Sequence, residues 1–178
     1  MTFDLLFVCT GNICRSPMAE HLAASKLPRD RFRVHSAGTY GLHGYPIEQK
    51  AAAQLAGIDC EAFRARRLDA GMVEEATLVL TATREHRTAV VTLVPTALAR
   101  TFTIKEFGRL VEHVGPVAPE DLVAAAAAQR GRTWTPPEQD DVADPYGQNA
   151  AAYARAYREI SAALARPLAL LAGTTVEP

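Results

Sequence analysis

The sequence predicts an α/β fold: a single-domain, doubly wound sheet of about four parallel strands with helices on both faces. Three observations support this prediction. Short apolar runs of strand length alternate along the chain with segments of helical periodicity, a pattern typical of parallel sheets. The run from Leu78 to Leu80 is apolar throughout, as expected for a strand buried on both faces. The length of 178 residues suits one domain, which we expect to cover residues 1–178.

Local signals define the individual elements. The first strand, residues 3–8, breaks at a Thr-Gly-Asn turn, and Ser16 followed by Pro17 has the pattern of a helix cap and a first helical residue. Further strands are predicted over residues 31–36, 76–81 and 100–104, and further helices over residues 47–55, 68–75, 84–94, 105–114, 119–130 and 149–171. The proline-rich stretch 115–148 is the longest predicted excursion, with residues 131–147 as a surface loop.

Composition excludes several classes of function. The chain has 19 Lys and Arg against 20 Asp and Glu, a net charge of -1, so we expect no nucleic-acid partner and only a local anion site. The first apolar run is too short to span a membrane and lacks the features of a signal peptide, which predicts a cytoplasmic protein without a membrane partner. Three cysteines are too few for a disulfide scaffold, and their spacing is unlike that of metal sites.

The segment Cys9–Arg15, called here the anion loop, carries the strongest chemical signal. It joins the first strand to the following helix, which is where doubly wound sheets bind ligands. Gly11 and Asn12 tolerate left-handed backbone angles, so the loop amides can turn inward and bind an oxyanion beside the helix N-terminus. The planar guanidinium of Arg15 matches two phosphoryl oxygens. The same positive field favours a Cys9 thiolate, a nucleophile facing bound phosphorus.

Besides a nucleophile and an oxyanion site, hydrolysis of a phosphate ester needs a group that assists the leaving group. The hydroxyl of tyrosine has an ordinary pKa of about 10, so its expulsion from a phosphate ester at neutral pH needs a proton donor. Asp144 is the candidate, although Asp144 followed by Pro145 is also typical of a turn. We expect Asp140 and Asp141 to be solvated loop charges and His86 to be an exposed helix position.

The segment VCTGNICRSPMAE, residues 8–20, resembles the signature of the low-molecular-weight protein tyrosine phosphatases. The resemblance extends through HSAGT at residues 35–39, LVLT at 78–81 and DPYG at 144–147. It implies hydrolysis of phosphotyrosine in proteins through a phosphocysteine intermediate. Cys9 would be the nucleophile, Arg15 the phosphate clamp and transition-state stabiliser, and Asp144 the general acid and base.

The resemblance also implies a substrate-binding set and partners. Asn12 would hold the loop conformation, and the Ser16 hydroxyl would donate a hydrogen bond to the Cys9 thiolate. The expected substrate-binding residues are Thr10, Gly11, Asn12, Ile13, Cys14, Ser16 and Tyr146. Expected partners are a phosphorylated protein, phosphate or another oxyanion in the loop, and a cognate tyrosine kinase, with no cofactor and no metal.

The walls of the pocket bear on substrate choice. Ile13 offers an apolar face to an aromatic ring, and Tyr146 is a candidate for the rim, or for packing against the last helix. Protein-arginine phosphatases resemble this family closely but carry threonine where this chain has Ile13, which favours phosphotyrosine and leaves phosphoarginine as the second candidate. Tyr40 and His43, after the second strand, are further candidates for the pocket wall.

The cysteines also bear on the class of protein. Cys14 either packs beneath the loop or forms a reversible disulfide with Cys9, the role that the resemblance favours. A thioredoxin-coupled arsenate reductase needs a third cysteine after the third strand, and residues 81–91 contain none. A phosphocysteine carrier has little need of Arg15 or a general acid. A phosphate-binding module remains open if Asp144 lies far from Cys9.

Overall fold

The computed structural model describes residues 2–132 and 135–173, in which four parallel strands form one sheet in the order β2-β1-β3-β4. The strands are β1 (Phe3–Cys9), β2 (Phe32–Gly38), β3 (Leu78–Thr81) and β4 (Thr101–Thr103). The helices are α1 (Arg15–Ala24), α2 (Gln49–Ala52), α3 (Ala70–Glu75), α4 (Arg84–Leu93), α5 (Ile104–Val111), α6 (Leu122–Ala127) and α7 (Ala150–Ala172). Short 3-10 turns cover Pro95–Arg100 and Pro137–Asp140.

The strand order creates a switch point at the carboxyl end of β1. The chain passes from β1 to β2 on one side and then returns to β3 on the other, so the loops after β1 and β3 diverge there. Cys9 pairs with Gly38 of β2, and Val8 pairs with Thr81 of β3. A crevice at such a switch point is where doubly wound sheets bind ligands, and the anion loop begins there.

Both faces of the sheet are covered by helices, which confirms the predicted fold class. Leu5, Phe7 and Phe102 face a large apolar layer that includes side chains of α1, α5 and α7. Leu6 and Val8 face a smaller layer that includes side chains of α3 and α4. The alternation of β1 residues between the two layers follows from the two-residue repeat of a strand.

The start of α1 differs from the prediction. The helix begins at Arg15 with Cys14 in the cap position, so Ser16 and Pro17 are its second and third residues. The Ser16 hydroxyl does not cap the helix because it is hydrogen-bonded within the anion loop. Pro17 is still compatible with this position, since the first four amides of a helix have no partner within the helix.

The C-terminal third agrees with the prediction for α7 and differs for the long excursion. Asn149 caps α7 by accepting a hydrogen bond from the amide of Ala152, and Gly173 ends it in the left-handed conformation. The helix predicted over residues 119–130 is shorter, Leu122–Ala127. Within the predicted surface loop, residues 133–134 lie outside the described residues, and Val142 is fully buried. No helix among the described residues combines the length and hydropathy that a membrane span requires.

Candidate active site

Asn12 anchors the centre of the anion loop. This buried residue adopts a φ of 56°, the left-handed conformation expected for it, whereas Gly11 does not. Its Nδ2 donates hydrogen bonds to the hydroxyls of Ser16 (2.9 Å) and Ser36 (2.7 Å), and its Oδ1 accepts one from the amide of Arg66 (2.7 Å). Asn12 therefore ties the loop to α1, to β2 and to the segment before α3.

Cys9 lies at the end of β1, with its Sγ 3.0 Å from the Oγ of Ser16. The Ser16 hydroxyl already accepts a hydrogen bond from Asn12, so its own proton remains to be donated. Sγ is closer to this hydroxyl than the other available acceptor, the carbonyl of Ala37 at 3.5 Å. A hydroxyl donor and the N-terminus of α1 both stabilise a negative charge on sulfur.

Arg15 connects the anion loop to residues far along the chain. Its Nη1 donates to the carbonyl of Val142 (3.1 Å), and its Nη2 lies 2.9 Å from Oδ2 of Asp144 and 3.4 Å from Oγ1 of Thr10. The residue is only 4% exposed, and its buried Nε has no hydrogen-bond partner in the described part of the chain. A buried N–H group without a partner is unfavourable, and a bound oxyanion would satisfy it.

Asp144 both begins a turn and reaches the site. Its Oδ1 accepts a hydrogen bond from the amide of Tyr146 (3.2 Å), while its Oδ2 contacts Arg15. The side chain is 51% exposed, so it faces both solvent and the guanidinium. Gln148 donates to the Asp144 carbonyl (2.6 Å), and Lys50 of α2 donates to the Gln148 carbonyl (2.8 Å). Asp144 therefore begins a turn and contacts Arg15 in the same structure.

Asp140 and Asp141 are not solvated charges, and that prediction is wrong. Both carboxylate oxygens of Asp140 accept hydrogen bonds from Arg109 of α5 (3.1 and 3.2 Å). Asp141 accepts a hydrogen bond from the amide of Arg84 at the start of α4 (2.8 Å), and the Arg84 Nε lies 3.6 Å away. These partners lie 31 and 57 residues away in sequence, and packing alone brings them together.

A cavity of about 290 Å³ opens above the anion loop. It is lined by Cys9, Thr10, Gly11, Ile13, Cys14, Arg15, Tyr40, Leu42, Asp144 and Tyr146. The three candidate catalytic residues thus lie around one space. Asn12 and Ser16 are not among the lining residues and instead support the loop from beneath. Tyr40 and Tyr146 stand at the rim, 74% and 61% exposed, and His43 does not line the cavity.

Leu42 is a lining residue that the sequence analysis missed. Its amide donates a hydrogen bond to the carbonyl of Gly11 (3.0 Å), which holds the loop after β2 against the anion loop. A leucine in a loop gives no signal of such a role, because the contact depends on how the two loops pack.

His86 is the second residue that the sequence analysis missed, and the prediction of an exposed position is wrong. It is 6% exposed, with Nε2 2.8 Å from Oγ1 of Thr10 and Nδ1 2.7 Å from Oγ1 of Thr83. Burial and the neighbouring charge of Arg15 lower the pKa of His86 to about 4, so the imidazole is neutral at pH 7. Thr83, three residues earlier, signals a capped helix start but not the contact with Thr10.

Cys14, a buried residue of the anion loop, borders the cavity and also contacts α7. Its Sγ lies 4.0 Å from the hydroxyl of Tyr153 on α7, and both residues are buried. Burial raises the pKa of the Cys14 thiol to about 12, which keeps it protonated near neutral pH. The disulfide between Cys14 and Cys9 stays a prediction. Among residues 2–132 and 135–173, no cluster of three or more His, Cys, Asp or Glu side chains is suited to hold a metal ion.

Comparisons with known proteins agree with this geometry. The family model described as low molecular weight phosphotyrosine protein phosphatase matches residues 4–122, about two thirds of the chain. The low molecular weight protein-tyrosine-phosphatase Ptp of Acinetobacter johnsonii is 36% identical over 103 residues, 57% of this chain and 71% of that protein.

Two solved structures are similar over most of the chain. The YwlE arginine phosphatase of Geobacillus stearothermophilus has a TM-score of 0.72 and 31% identity, covering 93% of this chain and 90% of that one. The low molecular weight protein tyrosine phosphatase of T. tengcongensis has a TM-score of 0.71 and 30% identity, covering 93% of this chain and 97% of that one.

Proposed function

This chain belongs to the low molecular weight phosphotyrosine protein phosphatase family, and on that premise we propose that it hydrolyses phosphotyrosine in proteins through a phosphocysteine intermediate. The observation that carries the proposal is the meeting of Cys9, Arg15 and Asp144 around one cavity. Their three side chains supply a nucleophile, a cation for the phosphoryl oxygens and a proton donor. A pure phosphate-binding module would need no carboxyl group beside the guanidinium.

Substrate binding uses the hydrogen-bonding capacity that Arg15 leaves unused. The buried Nε and the loop amides take the non-bridging oxygens of the phosphoryl group. These oxygens compete with Asp144 for Nη2, since the Asp144 carboxylate lies 2.9 Å from that nitrogen. The displaced carboxyl group then faces the ester oxygen, where a proton is required.

The reaction proceeds in two balanced steps. In the first, the Cys9 thiolate attacks phosphorus, the S–P bond forms, the P–O bond to the aryl group breaks, and the carboxylic acid of Asp144 protonates the departing oxygen. In the second, the Asp144 carboxylate takes a proton from water, whose oxygen attacks phosphorus while the S–P bond breaks. The hydrogen bond from Ser16 stabilises the thiolate that leaves.

The cavity walls support an aromatic substrate. Ile13, Tyr40, Leu42 and Tyr146 line the space beside the anion loop and can pack against a tyrosyl ring. The similarity to an arginine phosphatase structure favours phosphoarginine as the second candidate. The phosphoprotein would be the product of a tyrosine kinase. A nucleophile that works as a free thiolate suits a reducing compartment, and we place the enzyme in the cytoplasm.

Replacing the nucleophile tests the proposal directly. Cys9→Ser should reduce hydrolysis of an aryl phosphate and of a phosphotyrosine peptide by at least about a thousandfold, because serine lacks the thiolate. Release of inorganic phosphate measures the rate. Cys60 does not line the cavity, so Cys60→Ser is the matched control. Undiminished turnover by Cys9→Ser would refute the proposal, and a phosphoarginine peptide turned over faster than the phosphotyrosine peptide would favour the second candidate.

The role of Asp144 is tested by a series of leaving groups. Asp144→Ala should slow hydrolysis of phenyl phosphate by roughly a hundredfold, and that of a nitrophenyl phosphate much less, since a nitrophenolate leaves without a proton. The slope of log kcat against the leaving-group pKa is the measurement. An equal loss across the series would contradict the role of general acid.

A further inference from the structure

A second cavity lies beside the catalytic one. It measures about 280 Å³ and shares Thr10 and Tyr40 with the first, and its other lining residues include Arg67, Glu85 and His86. We call it the side cavity. Because Tyr40 is exposed and borders both spaces, the second cavity is within reach of residues that flank a phosphotyrosine in the first.

The guanidinium of Arg67 is the positive charge among the residues that line the side cavity. Its side chain is exposed, and no carboxylate of the described residues lies within 4.0 Å of it. Arg15 and Arg109, by contrast, are each paired with a carboxylate, since Arg15 contacts Asp144 and Arg109 contacts Asp140. His86 adds no positive charge at neutral pH, because burial and Arg15 lower its pKa to about 4.

Backbone hydrogen bonds fix the position of Arg67 relative to the start of the anion loop. Arg67 forms a parallel bridge with Gly38, which itself pairs with Cys9. The amide of Gly38 donates to the carbonyl of Arg66 (2.9 Å), and the amide of Leu68 donates to the carbonyl of Gly38 (2.8 Å). These bonds hold the Arg67 backbone at a fixed distance from the nucleophile, which lowers the entropy lost on binding.

The packing leaves little space for this segment to shift. A Cβ added at Gly41 would lie 2.0 Å from the carbonyl oxygen of Arg66, so the loop after β2 is in close contact with the segment that carries Arg67. The side cavity therefore has a preformed wall on this side. Glu85, exposed on α4, lies on the border and repels negative charge from its own position.

We propose that Arg67 forms a specificity subsite that binds an acidic side chain next to the phosphotyrosine of the substrate. The inference rests on the proposed function and adds a class of substrate: phosphoproteins in which aspartate or glutamate flanks the phosphotyrosine. Arg67 is a substrate-positioning residue, and the acidic side chain pairs with its guanidinium while the phosphoryl group occupies the anion loop.

The test compares two phosphotyrosine peptides that differ only in the residues flanking the phosphotyrosine, aspartate in one and alanine in the other. For the natural chain, kcat/KM should be up to about fivefold higher for the aspartate peptide, the upper end of what an exposed ion pair contributes, and the preference should fall as salt is added. Arg67→Ala should abolish the ratio, and Arg67→Glu should invert it. Using the ratio of two peptides cancels any general change in the variant's activity.

Two further variants sharpen the comparison. Arg64→Ala removes an exposed arginine that lines neither cavity and should keep the ratio of the natural chain. Glu85→Gln removes the competing negative charge and should raise the ratio. A ratio near one in the natural chain, or an unchanged ratio in Arg67→Ala, would overturn the inference. Hydrolysis of an aryl phosphate by the natural chain separates the two proposals, since its absence would overturn the proposed function itself.

Discussion

Buried polar side chains near the anion loop obtain their hydrogen bonds from distant residues. Asn12 uses both of its N–H groups and its carbonyl oxygen, and two of its three partners, Ser36 and Arg66, lie 24 and 54 residues away along the chain. A buried amide left without these partners would be strongly unfavourable, so the loop conformation and its surroundings form as a unit. At the scale of single residues, the reactive groups are therefore positioned by neighbours that do not line the cavity.

His86 is another buried polar side chain that depends on distant partners, and its burial leads to a prediction on stability. Its pKa in the folded protein is lowered to about 4, so the unfolded chain takes up a proton at a higher pH than the folded protein does. The stability that His86 contributes is complete above about pH 6.5 and is lost as the pH falls toward 4. Between pH 6.5 and 4.5 this amounts to up to about 2 kcal/mol of the free energy of unfolding.

Urea unfolding of the natural chain and of His86→Gln at these two pH values measures the effect. Glutamine does not titrate, so the variant should lose less stability on acidification than the natural chain. His113→Gln, at an exposed position, is the matched control and should behave like the natural chain. The same pH dependence in all three proteins would show that His86 is not the titrating group.

At the scale of elements, the segment 140–144 depends on several parts of the fold for its position. Arg109 of α5 holds Asp140, and the amide at the start of α4 holds Asp141. The amide of Val142 donates to the carbonyl of Ala82 (2.8 Å) just after β3. Asp144 therefore reaches Arg15 from a segment fixed by the ends of α4 and β3.

This arrangement predicts an effect of Asp141 on the chemistry that Asp144 performs. Asp141→Ala removes the acceptor for the Arg84 amide and should lower kcat for phenyl phosphate by roughly tenfold, because a small displacement of a catalytic group is costly. Hydrolysis of a nitrophenyl phosphate should decline less, since it needs no proton from Asp144. Glu138→Ala, exposed in the adjacent 3-10 turn, serves as the control. Equal losses for both substrates would mean that Asp141 acts on folding and not through Asp144.

At the scale of the whole molecule, packing on the two sides of the sheet is unequal. The longest helix, α7, packs closely on α5, where a Cβ added at Gly108 would lie 2.4 Å from the carbonyl oxygen of Ala163. Tyr153 at the other end of α7 contacts Cys14 of the anion loop. The helices of the large apolar layer thus support the anion loop from below. On the side of the smaller layer, α4 contributes His86 and Glu85 to the side cavity.

The order of strands and helices was predictable because its signals are local. Apolar runs, helical periodicity and capping residues such as Asn149 act over a few residues, and they were sufficient for all four strands and for α7. The start of α1 was misplaced because the Ser16 hydroxyl is hydrogen-bonded to Cys9 and Asn12 instead of an amide. Such competition for one hydroxyl is invisible without the folded loop.

By itself, the sequence determined the order of the elements and the contents of the anion loop, since both depend on residues that are neighbours along the chain. Only the tertiary structure decided which carboxylates are tied to α4 and α5 and which one contacts Arg15, and that His86 is buried behind Thr10. The physical reason is distance along the chain: Arg15 and Val142 are separated by 127 residues. Contacts of that range are set by how helices pack on the sheet, and no local pattern encodes them.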